Sequence, residues 1–284
     1  MYCDCHIHMV LDGENWKAAI ARHADGVDRA WVRQVLSRYA AAGVTFLRDG
    51  GDRWGAGLFA SAVAGEYGIR YRTPAFPIHK SGHYGGFIGR SFDTPAEYRA
   101  LVREAKAQGA HFIKIMISGL MDFDHYGVLT DTPLAPDEIA DMISAAHDAG
   151  LSVMAHANGD GTVAAAAAAG VDSVEHGAYL REQTLHVMAE HGTVWVPTLV
   201  TIANLIGCGR FPDDQLRPLL EYQMKNVALA ARLGVSVACG SDAGAYRVYH
   251  AQGALDEYAL LKKALGDGTE AVILRGNREI EQKF

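Results

Sequence analysis

Eight strand-like runs, each followed by a helical stretch, predict an α/β protein folded as a (β/α)8 TIM barrel. Three observations carry the prediction. Amphipathic, alanine-rich stretches end at Gly43, Gly68, Gly109, Gly150, Gly170, Gly192 and Gly234, and a strand-like run begins one or two residues after each. Glycine suits the left-handed residue that closes a helix. The runs near 3–8, 44–49, 70–76, 111–117, 152–157, 172–176, 193–199 and 235–241 are rich in Val, Ile, Phe, Thr and Ala, as strands covered on both faces are. Finally, the helix-to-strand joins are tight. The strand-to-helix segments 77–94, 118–135, 200–212 and 243–252 are long and hold Gly, His, Tyr and Asp. In a barrel these segments share the C-terminal face, where active sites form.

Helices are expected near 28–42, 54–67, 95–108, 136–149, 160–169, 181–191, 213–233 and 253–265. Their alternation with strands implies parallel pairing through right-handed crossovers. An open doubly wound sheet is the alternative. It is disfavoured because the candidate chemical groups fall on runs 1, 4, 5, 6 and 8, and only closure brings the first run beside the last. No linker, low-complexity tract or composition shift divides the 284 residues, so a single domain over 1–284 is expected.

Composition narrows the function. Hydrophobic residues make up 49% and the formal net charge is −7, with no basic block. That disfavours nucleic acid or an anionic membrane surface as partner. No apolar run is long enough to span a bilayer and no signal peptide precedes the first run, so a cytoplasmic protein with a small-molecule substrate is expected. Cys3, Cys5, Cys208 and Cys239 fit free thiols in a reducing compartment. Cys3 and Cys5 alternate with Asp4, His6 and His8 and read as small buried residues on the opposite strand face. Asp4 is expected to point inward below the site, as barrel-interior packing or support.

The chemistry starts at Cys3-Asp4-Cys5-His6-Ile7-His8. Residues two apart on a strand share a face, so His6 and His8 suit two ligands of one metal ion. His156 closes the run Val153-Met154-Ala155-His156, His176 closes Ser173-Val174-Glu175-His176, and Asp242 closes Cys239-Gly240-Ser241-Asp242. Lys114 lies inside the apolar run Phe112-Ile113-Lys114-Ile115-Met116. Each alone reads as a satisfied polar residue, an edge lysine or a helix cap. Five such groups at one end of five strands form a site. An ammonium about 4 Å from a divalent cation would suffer roughly 8 kcal/mol of repulsion at an effective dielectric of about 20. Holding Lys114 neutral at pH 7 costs about 4–5 kcal/mol instead. Carboxylation by CO2 avoids both, because the anionic carbamate can bridge two metals.

With these residues in place the sequence resembles the amidohydrolase superfamily, in its binuclear, carboxylated-lysine subtype. Within that superfamily it resembles the imidazolonepropionase-like and Xaa-Pro dipeptidase-like branch. The resemblance runs from His6 to about Leu265. It implies that His6, His8 and Asp242 hold the more buried of two divalent metals and that His156 and His176 hold the second, with Lys114 carboxylated between them. Zinc suits such N/O ligands around an open hydrolytic position, and Mn, Co and Fe also fit. The segment Ile78-His79-Lys80-Ser81-Gly82-His83-Tyr84-Gly85-Gly86 resembles a Gly-His-Gly substrate loop, with Tyr84 in place of the second glycine. His83 is the matching position and a candidate substrate contact. The β-sandwich that flanks the barrel in most relatives is expected to be missing, which leaves open a homo-oligomer.

The resemblance implies a metal-dependent hydrolase of an amide bond in an N-acyl amino acid or Xaa-Pro-like dipeptide, with Asp242 as proton acceptor. A cyclic amide or lactone hydrolase, a deaminase, a lyase and a non-catalytic metal-binding barrel are the alternatives. Tyr126 and Arg247 are candidates for binding a substrate carboxylate. Asp49 is expected to serve as a hydrogen-bonding support.

Overall fold

The computed structural model describes residues 2–284. Nine strands run parallel to their neighbours: β1 (Tyr2–Ile7), β2 (Val44–Asp49), β3 (Arg70–Arg72), β4 (Pro77–Lys80), β5 (Arg90–Phe92), β6 (Ile113–Met116), β7 (Val153–Ala157), β8 (Ser173–His176) and β9 (Val194–Val196). They form two ladders, β1-β2-β3 and β5-β4-β6-β7-β8-β9. The helices are α1 (Trp16–Ala21), α2 (Arg29–Ala41), α3 (Ala56–Val63), α4 (Pro95–Ala107), α5 (Pro136–Asp148), α6 (Asp160–Ala168), α7 (Glu182–His191), α8 (Val200–Ala203), α9 (Asp213–Leu233), α10 (Gln252–Leu265) and α11 (Thr269–Lys283). All seven glycines at the helix-to-strand joins have positive φ, as helix closure requires. Thr94 opens α4 with a capping box to Glu97, and Pro95 occupies the first turn, where its missing N–H costs nothing.

The architecture is TIM-barrel-like, and two junctions depart from the sequence expectation. The run 235–241 makes no regular ladder. It touches β9 through a bridge between Trp195 and Val237, and Cys239 O accepts from Cys5 N of β1 at 2.9 Å. Its own ladder is interrupted because Cys239 N donates to the Asn277 side chain instead. The run 70–76 also breaks. Pro74 lacks a donor and Ala75 has a φ of 64°. β3 therefore stops at Arg72, and β4 takes over the pairing with β6. The segment 77–94, expected to be a loop, thus contains β4 and β5. Helix 54–67 is shorter than expected, and a 3₁₀ turn covers Ala64–Tyr67.

Residues 269–283 form α11, which crosses the N-terminal ends of the strands. Ser152 donates to Lys283 O at 2.6 Å, Lys283 Nζ donates to Gly192 O at 2.9 Å, and Phe284 packs edge-on against Phe112. Cys3, Cys5, Phe46, Phe112 and Met154 make one buried cluster with Ile280 and Phe284. Both cysteines are free. This corrects the placement of Asp4. The register of β1 shifts between Asp4 and Ile7, so simple alternation fails there. Asp4 bonds to Tyr39 of α2 and to Ser241, so the support expected of it reaches the site from the side, through Ser241.

Among the described residues, no helix is long and apolar enough to cross a membrane.

Candidate metal centre

His6 and His8 leave the C-terminal end of β1 side by side, with ring centroids 5.3 Å apart. Gly50, just after β2, makes room for them: a Cβ there would lie 2.4 Å from His8 Cε1. Asp242 meets both rings. Its Oδ1 lies 3.4 Å from His6 Nε2 and 3.2 Å from His8 Nε2. The backbone of Asp242 is left-handed, with φ of 60°, an uncommon state for a non-glycine residue. Asp242 N donates to His6 O at 2.7 Å, and Ser241 is gripped by Asp4 through N–H and O–H bonds of 2.8 and 2.6 Å. These bonds over-determine the strained residue and hold its carboxylate on the histidines.

The β6-β7-β8 register brings the remaining predicted groups to the same end. Lys114 pairs with Met154, Met116 with His156, and Ala157 with His176. His156 commits Nε2 to Gly119 O at 3.1 Å, and His176 commits Nδ1 to Thr198 Oγ1 at 2.8 Å. One nitrogen of each ring is thereby fixed, which orients the other. The two rings are 4.6 Å apart, and His176 is 5.2 Å from His6. Burial, reinforced by the charge of Lys114, pushes His6 well below the usual imidazole range and His156 down to about 3. Burial and the surrounding histidines do the same to His176. These imidazoles are neutral, the form that ligates. Burial lowers Lys114 to about 8, although Glu175 and Asp242 oppose the shift. Burial alone would raise Asp242, but His6, His8 and Lys114 outweigh it and hold the carboxyl below its ordinary value.

The donor set fits a divalent cation. His6 Nε2, His8 Nδ1, Asp242 Oδ1 and Lys114 Nζ are buried without a hydrogen-bond partner. Such orphans are costly unless something else satisfies them. His6, His8 and Asp242 each offer an atom within 4.8 Å of the others.

Two residues of the site escaped the sequence reading. Glu175 Oε2 lies 3.0 Å from His6 Nδ1, off the ring's N–H axis. Its other oxygen accepts from Arg48 Nη2 at 2.8 Å and from Ser173 Oγ at 2.6 Å. Arg48 also donates to Cys5 O at 2.7 Å and to Ser173 Oγ at 2.8 Å. A charged residue inside each apolar run, Arg48 in 44–49 and Glu175 in 172–176, was the available signal. Strict alternation would set Glu175 and His176 on opposite faces. The φ of 67° at His176 breaks it, so both serve the centre.

A cavity of about 810 Å³ opens over the centre, lined by His8, His176 and Asp242 and walled by Trp16, Phe87 and Phe211 among others. Tyr84 also lines it, its ring 4.8 Å from that of His156. Burial, with the charge of Asp242, raises the Tyr84 phenol well above its ordinary value, so it is protonated. His83 lies outside the lining residues, paired with Asp131 at 3.2 Å. Tyr126 is exposed and packs on Tyr179, and Arg247 is not among the lining residues. Asp49 accepts from Met9 N at 3.0 Å and from Thr73 Oγ1 at 3.2 Å, tying β2 to the turn after His8.

A parallel α/β protein with histidines and an aspartate gathered at the strand ends belongs to a recognisable class of barrel. The chain is a member of the amidohydrolase family, whose sequence profile matches residues 2–272. The ochratoxinase of Aspergillus niger is 30% identical to it over 196 residues, 65% of this chain and 38% of the fungal protein. An uncharacterized protein of Mycobacterium tuberculosis is 36% identical over 138 residues, 46% of this chain and 37% of its own length. The matched stretches thus span little more than a third of these relatives. Among solved structures, a Xaa-Pro dipeptidase with methionine bound in its active site has a TM-score of 0.80 at 22% identity, covering 99% of this chain and 75% of that one. The ochratoxinase structure also has a TM-score of 0.80, at 21% identity, with 98% of this chain and 71% of that one covered. At that identity the likeness shows the shared fold alone.

Proposed function

We propose that the protein is a metal-dependent amidohydrolase that cleaves the C–N bond of an N-acyl amino acid or Xaa-Pro-like dipeptide. The observation that carries this reading is the convergence of His6, His8 and Asp242, with orphaned buried atoms, at a largely apolar cavity that His8 and Asp242 line. Family membership supports it, since amidohydrolases generally use divalent metal ions. A Xaa-Pro dipeptidase among the proteins of the same fold is in keeping with hydrolysis of an amide or peptide bond.

His6, His8 and Asp242 would hold one cation, and His156 and His176 a second. Lys114 would lie between them as a carbamate, formed when its neutral amine adds to CO2 and releases a proton. When bound, the cations supply Lewis acidity and make a water acidic enough to attack near neutral pH. Zinc suits the donors, and Mn, Co or Fe fit the same set. Asp242, held ionised, accepts the proton of the attacking water and passes it to the leaving nitrogen. The aromatic walls take up the apolar part of the substrate and exclude bulk water. The chemistry needs only a small-molecule substrate.

The test is a screen of zinc-loaded protein against N-acyl amino acids, dipeptides and lactones, with metal content measured on the same sample. Turnover of an amide that disappears in His6→Asn together with metal supports the reading. Turnover of lactones alone reassigns the bond, and metal binding without any hydrolysis makes this a binding barrel.

A further inference from the structure

The loop 81–89 puts a hydroxyl where the matching pattern has a glycine. Three observations fix its course. Tyr84 N donates to Asp131 Oδ2 at 2.9 Å, and the same carboxylate oxygen holds His83 Nδ1 at 3.2 Å. Asp131, on the facing loop 118–135, therefore draws His83 aside and pins the backbone of Tyr84. The next residue, Gly85, has φ of 122°, and a Cβ on it would lie 2.9 Å from His79 Cβ and 3.0 Å from Met116 Cγ. Only glycine passes so close to β4 and β6 in that conformation. The chain is thus turned so that the Tyr84 ring lies 4.8 Å from His156 and 5.7 Å from Phe87. Phe87 in turn meets Trp16 at 5.7 Å. These rings form a continuous aromatic wall from the rim to the histidines, and Tyr84 is the member nearest the centre with a donor to offer.

We infer that Tyr84 is a catalytic residue of the proposed reaction: its phenol O–H donates a hydrogen bond to the carbonyl oxygen of the scissile amide as that oxygen gains negative charge. The inference rests on the amidohydrolase reading for the identity of the bond, but not for the presence of the donor. No proton is transferred. The phenol keeps its hydrogen and stabilises the developing oxyanion more than the ground-state carbonyl. A preorganised donor in a water-poor cavity acts mainly on kcat. His83, held by Asp131, is left with a loop-ordering role.

The experiment compares zinc-loaded wild type, Tyr84→Phe and His83→Ala in two assays. The first is hydrolysis of N-acetyl-L-phenylalanine. The second is calorimetric binding of methylphosphonate, a tetrahedral anion that needs no turnover. Tyr84→Phe keeps the ring against His156, so metal content is expected to stay at the wild-type value. Its kcat is expected to fall about a hundredfold to a thousandfold with KM within about twofold, the range for removal of one oxyanion donor. Methylphosphonate binding is expected to weaken at least about fivefold, and His83→Ala to change either quantity far less. A Tyr84→Phe protein with wild-type kcat, or one binding methylphosphonate as wild type does, overturns the assignment, as does a wild type that binds no methylphosphonate. A wild type that hydrolyses no amide but binds methylphosphonate through Tyr84 overturns the amidohydrolase reading and keeps the donor.

Discussion

Arg48 and Glu175 are 127 residues apart in sequence and joined by a 2.8 Å ion pair in which both side chains are fully buried. The pair links β2 of one ladder to β8 of the other and ends 3.0 Å from His6 Nδ1. Ser173 Oγ and Cys5 O accept from the other two Arg48 nitrogens, Nη1 and Nε. Removing one member of such a pair strands a charge in the interior, which costs about 3–5 kcal/mol. Arg48→Met and Glu175→Gln are each expected to lose stability on that order in urea unfolding. The double variant should lose clearly less than their sum, because no unpaired charge remains. Strict additivity in the double-mutant cycle would mean that the two residues act independently.

Lys114 lies fully inside the barrel with Nζ unpartnered. Burial lowers it to about 8, which leaves a useful fraction of neutral amine near pH 7 for reaction with CO2. Protein loaded with zinc in carbon-13 bicarbonate should show a carbamate resonance that Lys114→Ala lacks. Lys114→Ala should keep less than the wild-type metal content and lose at least about a hundredfold in rate, the scale of losing a group that acts directly on the reacting centre. Wild-type metal content and rate in Lys114→Ala would remove the lysine from the site.

Much of the site was legible because its residues sit at fixed places in a repeated pattern. Gly150 and Gly170 mark the joins into the runs that carry His156 and His176, and period-two alternation put His6 beside His8. The Arg48–Glu175 pair was not legible. Each residue looked like a local exception, and only the tertiary arrangement brings β2 of one ladder against β8 of the other. Tyr84 was hidden for a similar reason: its direction depends on Asp131, 47 residues away. Asp4 was misplaced because alternation assumes a regular strand, and β1 shifts register beneath His6. The break at residues 235–241 likewise comes from a tertiary hydrogen bond, Cys239 N to Asn277, that no local pattern records, whereas Pro74 was a local signal for the break after β3. Helix α11 carries a core-facing set of Ile273, Gly276, Asn277 and Ile280, but nothing in those residues says that they cover the strand ends.

Glu257 gives a pH-dependent test of the fold away from the metal centre. It is buried in α10 and accepts from Val200 N at 2.8 Å. Burial raises its carboxyl from 4.5 to about 8 despite that bond. The folded state therefore holds a proton that the unfolded chain releases near 4.5. The stabilisation is fully present below about pH 4.5 and is lost as pH rises through about 8. Glu257→Gln keeps the shape and the acceptor but cannot ionise. Wild type minus variant should lose on the order of 2–4 kcal/mol of unfolding free energy between pH 4.5 and 9, measured by urea unfolding at a series of pH values. A difference that is flat, or that rises with pH, would show that Glu257 is ionised in the folded protein.

Asp242 unites the strain, the charge and the chemistry of the site. Its backbone is left-handed, its amide is tied to His6 O, and its Oδ1 faces His6 and His8. Despite burial, His6, His8 and Lys114 hold the carboxyl below its ordinary value, so it is ionised and free to accept a proton from an attacking water. Asp242→Asn preserves the shape and the backbone bonds but removes the base and weakens one set of metal donors. Loss of a general acid–base group costs about 10²–10⁴ in rate, so kcat should fall at least about a hundredfold. The far-ultraviolet circular dichroism should not change, and metal should remain at His156, His176 and Lys114. The pH–rate profile of wild type should show one rising limb that belongs to the water and Asp242 as a coupled pair. That limb should be lost or displaced in Asp242→Asn, whose amide does not titrate. If a folded, fully loaded Asp242→Asn protein turns over within a few-fold of wild type on the same limb, the proton goes to another group.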